Sequence, residues 1–217
     1  GMLTSEGIAY FKKHQPIGCR DFYTQKTLEK HGIKTYFSAC LTLSLKRAHF
    51  VKGNEDRKGI LVISPLERLL PTQEIIKSEG LKKLFYKGVQ KIKQPFKAKK
   101  YQKAMKRLDT YLSLFDEEIQ FRTQLMSPQT HTESERKKAA VEQLEYIAKA
   151  KLVITSRIHT ALPAVAFGTP VLFLSDGLDH PNQKSRLEGM ESFFTIWTTD
   201  YLKNQAALIP EPKKTPK

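Results

Sequence analysis

The chain has 217 residues, 40% hydrophobic and 27% charged, enough for one large or two small globular domains with a real core. No apolar run nears the roughly 20 residues that span a bilayer, the N-terminal stretch lacks a signal-peptide pattern, and Cys19 and Cys40 make neither a disulfide framework nor a metal set. The net charge of +15 is local: residues 81–107 hold eleven Lys or Arg and no acid, and without them 26 basic residues face 22 acidic ones, a balance of +4.

Residues 4–14 read as a short helix that stops before Pro16. "PIGCRD" (16–21) is turn-rich, and Thr24 is placed to cap a helix running to His31, with Gly32 as its stop. "KTYFSACLTLSL" (34–45) alternates and is rich in aromatics and Thr, as a strand is. Residues 47–58 are polar and read as a linker. "GILVISP" (59–65) is a compact apolar run of the kind buried in parallel sheets. A helix around 71–78 and the basic segment follow. "AMKRLDTYLSLF" (104–115) supports a further helix, and "EEIQFRTQL" (117–125) a strand. In the helix expected over 132–150, Thr132 and Glu135 stand at capping-box spacing. Next come "LVITS" (152–156) as a strand, "IHTALPAVAF" (158–167) as a helix stopped by Gly168, and "PVLFLS" (170–175) as a strand. "NQKSRLEGMESFF" (182–194) reads as a closing helix and residues 209–217 as a frayed tail.

Strands alternating with helices predict an α/β fold. Residues 59–208 form its Rossmann-like parallel sheet with helices on both faces, and residues 1–46 a partial domain ahead of it. Ligands in such sheets sit at the carboxyl ends of the strands, which is where "LVITS" ends. The helix that follows presents unpaired N–H groups suited to an anion. Thr155 and Ser156 offer hydroxyls there, Arg157 a planar fork that matches a carboxylate or phosphate, and His159 a proton donor near neutral pH. The same residues also suit packing, with Arg157 paired to an acid of a neighbouring element and His159 a satisfied core histidine. Spacing alone leaves both readings open.

Arg20 in "GCRD" is a candidate to reach the cleft, set against a local Arg20–Asp21 turn. Arg186 is a candidate phosphate contact, set against a solvated helix face. Asp176 and Asp179 are candidate bases for substrate hydroxyls. In the basic segment Leu81, Leu84, Phe85, Gly88, Val89 and Ile92 fall on one helical face among lysines. That pattern suits an anionic membrane surface, or a helix packed on its own domain. Nucleic acid is disfavoured as a partner, because the charge is confined to one segment and no binding motif accompanies it.

Two stretches, "PIGCRDFYTQKTLEKHGIKTYFSACLTLSL" (16–45) and "AKLVITSRIHTALPAVAFGTPVLFL" (150–174), resemble the polysaccharide pyruvyl transferase family; the second carries its Ser-Arg-x-His element at Ser156, Arg157 and His159. The resemblance implies a fold similar to the two-domain glycosyltransferase B type, and a bacterial enzyme of cell-envelope polysaccharide synthesis. Phosphoenolpyruvate would be the donor substrate and a sugar the acceptor of a pyruvyl ketal, with no metal and no cofactor. His159 and Arg157 are then the expected catalytic residues, with Ser156, Thr155, Arg20 and Arg186 as substrate contacts. The expected location is cytoplasmic, at the inner membrane face if residues 81–107 meet lipid. The family's Gly-Asn-x-Gly-Asp element has no counterpart here, so the chain is expected to begin inside the N-terminal half. That departure keeps an inactive remnant, binding anions or a partner, as one alternative, and the fold type and anion-binding helix end keep a nucleotide-sugar glycosyltransferase as another. An open sheet edge in the partial domain would invite pairing with a second copy.

Overall fold

The computed structural model describes residues 3–53, 56–70, 81–127 and 129–212, and of residues 81–94, 182, 183 and 186 the backbone alone. The helix expected at 71–78 lies outside the described residues.

The N-terminal unit is built from local signals. Helix α1 (Ser5–Lys13) starts where the Thr4 hydroxyl accepts the Gly7 N–H at 3.1 Å. Strand β1 (Ile17–Cys19) lies in the stretch read as a turn; three residues with a central glycine carry no alternation to detect. Helix α2 (Phe22–Glu29) is capped by Asp21 and not by Thr24, because Asp21 is extended and its carboxylate accepts both the N–H and the hydroxyl of Thr24 at 2.8 Å. Strand β2 (Thr35–Phe37) pairs parallel with β1, Ile17 opposite Thr35. The strand expected to reach residue 45 stops early. Ala39 turns the chain at φ 53°, and Leu41–Ser44 form a 3-10 turn that lays Leu43 and Leu45 on the core of the main sheet.

The main sheet is wholly parallel, in the order β4-β3-β5-β6-β7. Its elements are β3 (Ile60–Ile63), α3 (Leu81–Leu112), β4 (Ile119–Arg122), α4 (Glu133–Lys149), β5 (Leu152–Thr155), α5 (Ile158–Ala166), β6 (Val171–Leu174), α6 (Pro181–Lys184), β7 (Thr195–Trp197) and α7 (Thr199–Leu202). Counted within the sheet this is a 2-1-3-4-5 winding, which reverses direction between β3 and β5. The basic segment and the helix expected at 104–115 are one 32-residue helix with Pro95 inside it, carried across by the strong helix formers on either side. The closing helix expected over 182–194 breaks up into α6, a 3-10 turn at Ser185–Leu187 and a left-handed Gly189, and β7 follows where no element was expected.

Alternate strand residues feed two cores. Ile60, Val62, Leu152, Ile154, Leu172 and Leu174 meet Leu108 and Tyr111 of α3 and Leu202 of α7. On the other face Leu61, Ile63, Val153 and Phe173 meet Ile147 and Ala148 of α4 and Ala161 and Leu162 of α5. Each buried leucine or isoleucine contributes about 2 kcal/mol. The polar stretch before β3 is pinned as well: Arg47 Nε donates to Ala148 O at 2.9 Å, and Arg57 donates to Ala148 O at 3.0 Å and Phe167 O at 2.5 Å. The N-terminal unit docks through rings, Phe22 at 4.6 Å from Phe37 and Phe37 at 6.2 Å from Phe193. Gly189, at φ +87°, lies under this stack, where a Cβ would meet the Phe37 and Phe22 rings at 3.0 and 3.1 Å.

Candidate functional site

The winding reverses between β3 and β5, and the space outside their carboxyl ends, the β3–β5 crevice, is the usual ligand position in such sheets. Ser64, the residue after β3, holds a left-handed backbone (φ 45°) that costs a non-glycine residue about 1–2 kcal/mol. It joins three strand ends. Its N–H donates to Arg122 O at 3.0 Å, its Oγ accepts the Gln124 N–H at 3.0 Å, and its carbonyl accepts the Ser156 hydroxyl at 2.9 Å.

The β3 loop then clasps the β5–α5 turn with two consecutive side chains. Arg68 donates to Ser156 O at 2.5 Å, and the Glu67 carboxylate pairs with the Arg157 guanidinium. Gln124 donates to the Thr160 hydroxyl at 2.5 Å, and Thr123 donates to Glu67 at 3.4 Å. Gly177 lets the loop after β6 approach closely: at φ +78° it faces Leu69 Cδ2 and Arg68 Cβ, which an added Cβ would meet at 3.0 and 3.1 Å.

Thr155, Ser156, Arg157 and His159 are thus brought to one turn, in different roles. Thr155 is fully buried and its hydroxyl accepts the Arg157 N–H at 3.0 Å, which closes the turn. Ser156 is fully buried with its hydroxyl on Ser64 O, so both hydroxyls are committed to backbone. Arg157 takes the N-cap position of α5. Its side chain is 37% exposed while that of Glu67 is 7% exposed. Burial pushes the Arg157 guanidinium below its ordinary value. The ion pair uses one terminal nitrogen, and the Arg157 Nε is buried with no hydrogen-bond partner among the described residues. His159, in the first turn of α5, is exposed rather than a core histidine.

Among the described residues the turn gathers the Arg68 and Arg157 guanidiniums around the Glu67 carboxylate, and the start of α5 adds about half a positive charge. The arrangement can hold a small anion beside an exposed imidazole. A groove of about 370 Å³ lies at the end of β4, lined by Arg122, Thr123, Gln124, Arg136 and Gln143 among others. It adjoins the crevice through the bonds of Thr123 to Glu67 and Gln124 to Thr160.

The remaining candidates lie elsewhere. Arg20 pairs with Asp21 at 3.3 Å, the local turn, and among the described residues no hydrogen bond or ion pair links it to β5–α5. Arg186 sits in the 3-10 turn after α6, its side chain outside the described residues. Asp176 accepts from Thr199 N and Oγ1 at 2.8 and 2.7 Å and so fixes the start of α7, while Asp179 faces Lys100 at 3.5 Å. Burial, then Asp21, push the Cys19 thiol up and away from thiolate chemistry. Glu67, Arg68 and Gln124 were missed from sequence. The rule that ligands gather at carboxyl strand ends applied to "GILVISPLER" as much as to "LVITSRIH", and would have pointed to the first two.

One family model, described as polysaccharide pyruvyl transferase, matches residues 5–177 of the 217. Neither the curated proteins nor the solved structures give a significant match.

Proposed function

Because the chain belongs to the polysaccharide pyruvyl transferase family, we propose that the β3–β5 crevice binds phosphoenolpyruvate and that the pyruvyl unit passes from it, as a cyclic ketal, to a diol of a cell-envelope sugar. One observation carries the reading. On a single turn at the reversal point of the sheet, a partly exposed guanidinium, its Nε–H without a partner among the described residues, stands two residues from an exposed imidazole.

Each group has work to do in that chemistry. Arg157 holds the donor's carboxylate or phosphate through the solvent-exposed part of its side chain, and Glu67 and Arg68 keep the turn in register. His159 delivers a proton to C3 of the enol. C2 becomes cationic, the first sugar hydroxyl adds to it, phosphate leaves with the electrons of its C2–O bond, and the second hydroxyl closes the ketal. The two hydroxyl protons balance the one gained at C3 and the one carried by phosphate. The polar groove at the end of β4 offers hydrogen-bonding side chains of the kind a sugar needs.

The test is incubation with phosphoenolpyruvate and a panel of monosaccharide glycosides in heavy water. The expected product is a ketal whose new methyl group carries one deuterium, released in step with phosphate. Consumption of a nucleotide sugar in its place, or phosphate release without ketal, overturns the proposal.

A further inference from the structure

The chain's excess charge has an address separate from the crevice. Lys103, Lys106 and Arg107 of α3 and Lys203 after α7 line a groove of about 500 Å³, with Leu114, Leu202 and Tyr111 as its apolar part. Among the described lining residues there is no carboxylate. Asp200 stands beside the groove, shared by Arg107 at 2.6 Å and Lys203 at 2.7 Å. One carboxylate cannot neutralise four cations, and among the described residues Lys103 and Lys106 have no ion-pair partner.

The surface is apolar as well as basic. Leu114 is 50% exposed and Phe96 is 73% exposed. Phe96, Lys100, Lys103 and Arg107 follow one another at three- and four-residue spacing along α3, so they share one stripe that runs into the groove. Exposed carbon bordered by lysines is the pattern of a helix lying in a membrane interface, where apolar side chains enter the headgroup boundary and lysines reach lipid phosphates. No helix among the described residues is long and apolar enough to cross a membrane, so contact through this face is interfacial. Single-stranded nucleic acid fits less well, because it needs a series of aromatic platforms, and on this face Phe96 is exposed while Tyr111 is buried.

We propose that the face of α3 from Phe96 to the α3–α7 groove docks on an anionic phospholipid bilayer, with Phe96 and Leu114 in the headgroup boundary and Lys103, Lys106 and Lys203 on lipid phosphates. The inference does not depend on the pyruvyl-transfer reading. It is tested by sedimentation with mixed phosphatidylcholine–phosphatidylglycerol vesicles and with pure phosphatidylcholine vesicles. Binding is expected to the mixed vesicles alone and to fade in high salt. The double variant Lys103→Ala/Lys106→Ala should weaken it about 30-fold, and Leu114→Ser about fivefold or more. All three side chains are exposed, so unchanged melting temperatures check that the fold is intact. Equal binding to both vesicle types, no binding to either, or indifference to Leu114→Ser overturns the proposal. So does displacement by glycerol phosphate, which would assign the groove to a soluble phosphate. A short RNA that binds tighter than the mixed vesicles, and depends on the lysines but not on Leu114, would give the face to nucleic acid and overturn it too.

Discussion

Glu67→Ala and Arg157→Ala remove the two sides of one ion pair, yet their costs should differ. The Glu67 side chain is 7% exposed and that of Arg157 37%. Arg157→Ala leaves a carboxylate out of water with its counter-ion gone, at a cost of about 3 kcal/mol. Glu67→Ala leaves a guanidinium that is more than a third open to solvent, and screening reduces the cost to about 1 kcal/mol. With both side chains removed no charge is stranded, so the double variant should be more stable than Arg157→Ala alone. For a chain of this length 1 kcal/mol corresponds to roughly 2–4 °C in Tm. Arg157→Ala should therefore melt about 6–12 °C below the parent, with Glu67→Ala and the double variant close together about 2–4 °C below it. Urea denaturation of the four proteins gives the coupling energy directly, expected at about 3 kcal/mol. Additive losses, with the double variant below both single ones, would refute the pairing of Glu67 with Arg157.

Other perturbations separate structure from chemistry. Gly177→Ala forces a Cβ against Leu69 and Arg68 in a left-handed position; it should cost about 2 kcal/mol in denaturant titration and weaken ligand binding by displacing the Arg68 clasp. Thr132→Ala removes the cap of α4 and should cost about 1 kcal/mol with ligand binding unchanged. The Thr132 N–H, then its hydroxyl, hold the Glu135 carboxyl below its ordinary value of 4.5. A depressed carboxyl adds stability above its unfolded value and loses it as pH falls through the folded one, so Glu135→Gln should flatten the loss of stability below pH 4.5. His159→Gln should leave Tm and phosphoenolpyruvate affinity near the parent values and lower turnover about a hundredfold; an unchanged rate removes His159 from the chemistry.

The parts legible in sequence were those with a local cause. Thr132 and Glu135 announce their capping box by spacing, and β3, β5 and β6 announce themselves as apolar runs between breakers. The Ser-Arg-x-His turn could be placed at a strand's carboxyl end for the same reason. What escaped was set at long range. The partner of Arg157 is 90 positions earlier, on a loop whose side chains have no periodicity to read. β1 is three residues long and held only by β2, and the strand expected through residue 45 yields at Ala39 because Leu43 and Leu45 gain more against α5 and its neighbours than in a sheet. Thr24 looked like a cap because Asp21, the true one, sat inside a stretch read as a turn.

The central claim, that the β3–β5 crevice is a phosphoenolpyruvate site, is tested most directly by calorimetric titration of phosphoenolpyruvate into the parent chain and Arg157→Gln. The glutamine removes the guanidinium and its charge and leaves a shorter, neutral hydrogen-bonding side chain. A saturable isotherm for the parent, weakened about tenfold or more in a variant that circular dichroism shows still folded at the titration temperature, is the predicted result. Equal affinity in the two proteins, or a folded parent that gives no isotherm, would contradict it.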